Sequence, residues 1–361
     1  MDLTEARREM EICNACRYCE GFCAVFPAME RERAFADGDL TYLANLCHNC
    51  RGCYYACQYA PPHPFGVNVP QTFAVLRDES YAAYAWPKSL ARAFAGNGLV
   101  VALTTAGALA LVLILTGALT APGTLGGRFT GPDAFYRVIP WAVMTGVAAV
   151  TVLFSLLALG IGGAAFWRDA GTASPLRLRH IGRGLHDAFT LKNLGGGGAG
   201  CNDTDEAFSQ ARRRFHHAMF YGFLACFAAT CTAAFEAYAL GRPAPYPLFS
   251  VPVGLGVLGG AGLLVGTTGL TWLKIKADAA PAARRLMGAD LALLALLWLA
   301  GATGLLLLAF RATDAMGTLL AVHLGVILGL FVLLPYSKFV HALYRTLALV
   351  RNAADGAGAG D

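Results

Sequence analysis

Eight of the chain's 11 cysteines lie within its first sixty residues, and they repeat one spacing. Cys13-x-x-Cys16-x-x-Cys19-x-x-x-Cys23 is followed by Cys47-x-x-Cys50-x-x-Cys53-x-x-x-Cys57. Three cysteines at three-residue intervals let a tight loop present three thiolates to three corners of an iron–sulfur cube. The fourth lies too far along to close its own cube and serves the other one. That rule gives two 4Fe-4S clusters, one on Cys13, Cys16, Cys19 and Cys57, the other on Cys47, Cys50, Cys53 and Cys23. Structural zinc also takes four thiolates but needs only paired hooks, so the third cysteine and the duplication favour iron and sulfide. A disulfide framework is disfavoured, because nothing directs this segment out of the cytosol. The proline that usually follows the fourth cysteine is replaced by Ala24 and Gln58. Pro27 and Pro61 instead follow each fourth cysteine by four residues, a duplicated offset that reads as a variant of the motif.

A second candidate chemistry lies far along the chain. Four of the eight histidines, His216, His217, His323 and His341, fall in apolar stretches, where an ionisable side chain marks a functional site by default. Imidazole is a common axial ligand of haem iron. His216 and His217 point about 100° apart on a helix, so only one of them can serve a given partner. His323 and His341 are eighteen residues apart, five turns of helix, and are expected to share a face about 27 Å apart along the axis. Pro335 between them is expected to bend that helix. His48 and His63 sit beside the cysteines, but each cube already has four thiolates, so both read as supporting or surface groups.

Two kinds of scaffold must hold these groups. Residues 1–95 are mixed and charged, whereas residues 96–361 alternate long apolar runs with short charged loops. The chain therefore divides into a cytosolic metal-binding head, 1–95, and a membrane domain, 96–361. At 56% hydrophobic, with a mean hydropathy of +0.51, it is too apolar for an ordinary soluble enzyme. The formal charge of +5 lies largely in loops and is no argument for nucleic acid. The start, Met1 to Arg8, has neither an apolar core nor a cleavage-site pattern, so no signal peptide is expected there. No alternating strand pattern occurs in the head, and residues 39–46 and 70–84 read as helices. Trp86-Pro87-Lys88 suits an interfacial anchor. The expected fold is all-α: a helical two-cluster ferredoxin-like head that folds separately, then a six-helix transmembrane cytochrome-b-like bundle.

Six apolar segments, at about 98–120, 138–165, 215–239, 252–273, 288–310 and 317–341, each approach the ~20 residues that cross a bilayer. Basic residues crowd the second loop (Arg168, Arg177, Arg179, Arg183, Lys192, Arg212, Arg213, Arg214) and the fourth (Lys274, Lys276, Arg284, Arg285). By the positive-inside rule both termini face the cytoplasm, in a bacterial inner membrane. His216, His217 and His341 then lie at cytoplasmic ends, and one of the first two can face His341 across a b-type haem. His323 lies near the far side, where no other span offers a histidine. The second loop also carries Gly195 to Gly200 and then Cys201-Asn202-Asp203. No strand precedes it and no lysine closes it, so it reads as a flexible loop with a helix cap at Asn202 or Asp203, or as a docking surface. Cys201, Cys226 and Cys231 lack the cluster spacing and read as inert buried thiols.

The stretch from His323 to His341, with its Pro335-Tyr-Ser-Lys turn, resembles the last haem-binding helix of the respiratory nitrate reductase gamma subunit. That family's other ligand helix carries two histidines ten residues apart. Here Cys226 and Phe227 stand ten beyond His216 and His217, so the resemblance implies one haem at the cytoplasmic side. Taken whole, the chain resembles the tricarballylate-utilisation protein B family, also called citrate-utilisation protein B. The likeness rests on Leu46 to His63, on Cys201-Asn202-Asp203 and on Arg214-Phe-His-His-Ala-Met-Phe-Tyr-Gly222. It implies an electron carrier between a partner flavoprotein, a FAD-containing dehydrogenase of the tricarballylate dehydrogenase type, and the membrane quinone pool.

Cofactor chemistry agrees with that role. Clusters and haem change by one electron, while a flavin and a quinone each hold two, so the chain reads as a wire between them. The alternative is a redox sensor with a transport or signalling body. A transporter should show inverted repeats and broken helices, and Glu236 in the third span is the one polar exception of that kind. Tyr336, Lys338 and Tyr221 are the candidate hydrogen-bond donors to a quinone.

Overall fold

The computed structural model describes residues 3–172 and 174–357. Its head is built from α1 (Thr4–Cys16), α2 (Val25–Met29), α3 (Asp37–Leu46), α4 (Gly52–Tyr55) and α5 (Val69–Tyr84). Helix α5 begins with Pro70 in its first turn and the Asn68 side chain capping Gln71 N, a pre-organised helix start. The membrane part comprises α6 (Asn97–Leu119), α7 (Ala134–Val138), α8 (Trp141–Ala170), α9 (Leu178–Phe189), α10 (Ala211–Ala239), α11 (Val251–Lys276), α12 (Met287–Phe310), α13 (Met316–Leu333) and α14 (His341–Ala357). Among the described residues there is no strand, only an isolated bridge between Cys201 and Ser209. The all-α class holds, and six of the helices are long and apolar enough to cross a membrane. The protein is a multi-pass membrane protein. Six crossings bring the chain back to the side it left, and α14 there packs on the head.

Three features differ from the sequence reading. The sixth span does not run to His341. Pro335 supplies no backbone N–H, the chain passes through two short 3-10 turns, and Ser337 is extended at φ −124°, ψ 174° before α14 starts afresh. His341 therefore opens a new helix, and the five-turn register with His323 does not exist. Secondly, the head does not fold apart. Phe73, Tyr81 and Tyr84 of α5 share one hydrophobic core with Phe166 and Ala170 of α8 and with Tyr344, Ala348 and Leu349 of α14. Arg351 of α14 reaches Glu32 at 3.0 Å and Asp39 at 2.7 Å in the head, and lies 4.0 Å over the Tyr42 ring. Thirdly, two helices add to those expected: α9, amphipathic and set within the basic second loop, and α14, which follows the last span and is largely buried against the head.

Within the bundle, the placement of α10 follows from glycines. Gly259, Gly262, Gly266 and Gly269 line one face of α11, and a Cβ on any of them would collide with α10. A side chain at Gly269 would meet the Phe215 ring at 2.2 Å, and one at Gly266 would meet Met219 N at 2.3 Å. Gly222 returns the contact from α10, giving the close small-residue packing that holds membrane helices together. Phe215 and Met219 are thereby fixed against α11, which turns the intervening residues in defined directions.

Candidate electron-transfer centres

The eight motif cysteines surround two cavities. Cys13, Cys16, Cys19 and Cys57 line one, with Ile12, Tyr18, Gln58 and Tyr59. Cys23, Cys47, Cys50 and Cys53 line the other, with His48 and Arg51. The fourth cysteine of each motif thus stands in the other motif's cavity. Tight backbone turns bring the thiols round: Arg17 has φ 55°, Asn49 56° and Arg51 67°, left-handed values that non-glycine residues rarely adopt. Such strain is kept where surrounding structure demands it. Asn49 N donates to Cys47 Sγ at 3.4 Å, and Gln58 Nε2 to Cys16 Sγ at 3.8 Å.

The donor sets suit a cationic group. Burial and neighbouring thiols push the Cys13 thiol up, hold Cys19 at about 12, and raise Cys53 as well. Cys50 goes the other way, lowered to about 6 by its hydrogen bond with Cys23, so one thiolate forms readily while its buried neighbours favour the thiol unless positive charge stands among them. Among the described residues, no three His, Cys, Asp or Glu side chains converge on the point that a single ion would occupy.

The membrane histidines separate cleanly. His216 and His341 face one another, ring centroids 6.3 Å apart and planes at 87°. Two metal–nitrogen bonds of about 2 Å each, plus the two half-rings, account for a separation of that size. Nδ1 of His341 donates to Lys338 O at 2.5 Å, which leaves Nε2 as the acceptor nitrogen. Nδ1 of His216 is buried without a hydrogen-bond partner. These two residues would be the ones to hold a haem there, each supplying one imidazole nitrogen. His217 turns away: its Nε2 meets Thr190 O at 3.1 Å and its ring lies against Tyr221. His323 pairs with no histidine, and its Nδ1 meets Thr303 Oγ1 at 2.9 Å across α12 and α13.

Two arginines join the two kinds of site. Arg212 lies one turn before His216 on α10 and donates to Asn49 O at 2.7 Å. Arg345 lies one turn after His341 on α14 and donates to Cys47 O at 2.9 Å. Four residues rise about 6 Å, so the Cys47–Cys53 loop is held close to the histidine pair from both of its helices. The i±4 spacing from each histidine was the available signal. Buried Arg77 donates to Cys47 O at 2.8 Å and to Ala44 O at 2.9 Å.

The two basic loops clamp the head. Asn202 N donates to Cys50 O at 2.8 Å, Arg51 donates to Asp203 O at 2.9 Å, and Tyr55 donates to Asp278 Oδ2 at 2.6 Å. Gly197 packs so tightly on Gly21 O that a Cβ would come within 2.8 Å. The glycine run is therefore a docking surface. Asn202 and Asp203 do not cap α10, whose N-cap is Gln210. Cys201 is fully buried, but Cys226 is only half-buried and Cys231 is exposed on its span. His48 is buried, its Nδ1 against Leu46 O at 2.7 Å, and His63 sits in a surface cluster with Tyr59 and Phe65. The three candidate quinone donors are all engaged within the protein: Tyr336 with Trp86 O at 2.8 Å, Tyr221 with Phe189 O at 2.9 Å, and Lys338 with Asp290.

The family model for Citrate utilization protein B matches residues 94–360, and that for the Citrate utilization protein B Fer4-like domain matches residues 6–83. The Citrate utilization protein B of Escherichia coli is 46% identical over 354 residues, covering 97% of this chain and 92% of its own length. No solved structure matches the chain.

Proposed function

The chain belongs to the citrate utilization protein B family, and from that premise we propose that it is the membrane-bound electron carrier of a flavoprotein dehydrogenase. In this reading the donor is a FAD-containing dehydrogenase of tricarballylate or a related carboxylic acid, and the acceptor is the quinone pool. On the same reading the head and both chain ends lie on the cytoplasmic side of a bacterial inner membrane, an orientation that the basic loops favour. Cys13, Cys16, Cys19 and Cys57 hold one 4Fe-4S cluster; Cys23, Cys47, Cys50 and Cys53 hold a second; His216 and His341 hold one b-type haem. When bound, these groups pass single electrons between two-electron partners.

The single observation that carries this reading is the continuity of the three donor sets. Tyr18 and Gln58 line the first cavity, and both are exposed, so a large soluble donor can approach that set. Cys23 and Cys57, exchanged between motifs, tie the two cysteine sets into one body. Arg212 and Arg345 then tie the second set to the histidine pair. Lys338 O fixes the His341 ring so that Nε2 points away from its own helix start. The Arg212 and Arg345 links also work against the redox-sensor alternative, which needs no route into the bundle.

The test is analysis of the full-length protein purified anaerobically in detergent. It should contain about eight iron and eight sulfide beyond the haem iron, and about one b-type haem. Zinc in place of iron, or a protein without haem, refutes the corresponding part.

A further inference from the structure

The two cysteine sets share a spacing but not an electrostatic setting. Around the second set stand four arginines: Arg51 and Arg77, both buried, and Arg212 and Arg345, both half-buried. Three of them donate directly to the backbone of Cys47 or Asn49. Two acids offset them, Asp203 at 3.4 Å from Arg212, and Asp278 held by Tyr55; a third, Asp290, also acts on Arg212 but is already held by Lys274 and Lys338. Four charges less two leave an excess of two positive charges. Around the first set the guanidinium of Arg17 is exposed, on Asn14 O at 3.0 Å, and the buried ionisable side chain is Glu9, an acid that adds no positive charge in either protonation state. Arginine stays protonated under all working conditions.

Reduction adds one negative charge to a cluster, so nearby positive charge favours the reduced form and raises the potential. Greater burial of Cys47 and Cys50 acts in the opposite sense. It also removes the water that would screen the arginines, whose charges act at short range in a poorly polarisable setting. The charges therefore dominate.

We propose that these four arginines set the second cysteine site at a higher reduction potential than the first, so that electrons run downhill from the exposed site toward the His216–His341 pair. The inference rests on the reading that both sites hold iron–sulfur clusters. Each transfer oxidises the first site by one electron and reduces the second by one.

The experiment is an anaerobic redox titration of the full-length protein in detergent, followed by electron paramagnetic resonance. Cys57→Ser and Cys23→Ser identify which signal belongs to the first and which to the second site. The signal lost in Cys23→Ser should have the higher midpoint. Arg345→Gln and Arg77→Gln should each shift that signal's oxidised-to-reduced ratio about tenfold toward oxidised at fixed potential, ~59 mV for one electron. Arg345→Lys, which keeps the charge, should shift it less. A higher midpoint for the first site, or arginine variants that move neither signal, overturns the inference while leaving the carrier reading intact. Absence of both iron–sulfur signals refutes the two together. Where an arginine variant fails to accumulate, the order of midpoints in the unmodified protein decides.

Discussion

Cys13–Cys23 and Cys47–Cys57 are copies of one motif, yet one faces the solvent and the other the helical bundle. The first is bordered by exposed Tyr18 and Gln58. The second is enclosed by Asn202 and Arg212 of the glycine-rich loop and α10, and by Arg345 of α14. A repeated ligand spacing specifies what can be bound twice. What each copy is for comes from the residues that touch it, and those arrive from up to 298 positions away. A duplicated pattern thus carries no direction of flow; the surroundings do.

The largest effects should come from removing a ligand. Cys57→Ser should cost the first site and Cys23→Ser the second, each lowering non-haem iron by about four of eight, read by iron analysis and spectroscopy. If each loss stayed within its own motif, the exchange of fourth cysteines would be refuted. The adjacent histidines offer a second pair of near twins. His216→Ala should abolish the b-type spectrum, as should His341→Ala, whereas His217→Ala and His323→Ala should retain it. Haem loss in His217→Ala with retention in His216→Ala would reverse the assignment.

Smaller effects concern how the head is held. Arg351 is almost buried and meets Glu32, Asp39 and Asp355. Arg351→Ala removes the cation those three carboxylates share, at a cost of about 3 kcal/mol, measurable as a lowered Tm in detergent. An unchanged Tm would mean that the head is anchored elsewhere. The smallest effect involves Glu9, whose carboxyl burial raises from 4.5 to about 7. The folded state keeps this proton where the unfolded state loses it, so stability falls as pH rises from 4.5 towards 7 and the cost is full above it. Glu9→Gln should therefore gain more over the unmodified protein at pH 8 than at pH 6 in urea melts. An equal gain at both would contradict the buried carboxyl's role.

The cysteine sets could be read from spacing alone, because cluster ligation is encoded in short loops. Helices at 39–46 and 70–84, and the six spans, were likewise visible in local apolar patterns. His341 was placed on the wrong element because Pro335 reads equally as a bend or as a stop. Ser337, whose side chain accepts from Phe339 N at 3.3 Å, makes it a stop. The docking role of Asn202 and the arginine links were not legible as contacts, since each pairs residues that only tertiary packing brings together. Arg212 and Arg345 stood in view at four residues from their histidines, but a basic residue at a span's cytoplasmic end has a simpler explanation in lipid headgroups.

The most direct test of the carrier is the arrival of electrons at the histidine pair. Stopped-flow mixing with reduced flavodoxin, a flavoprotein too large to enter the bundle, would follow haem absorbance in the unmodified protein, Cys57→Ser and Cys23→Ser. Haem should become reduced in the unmodified protein and much more slowly in both variants, because each lacks one site of the series. Haem reduction at an unchanged rate in both variants would contradict the route through the head.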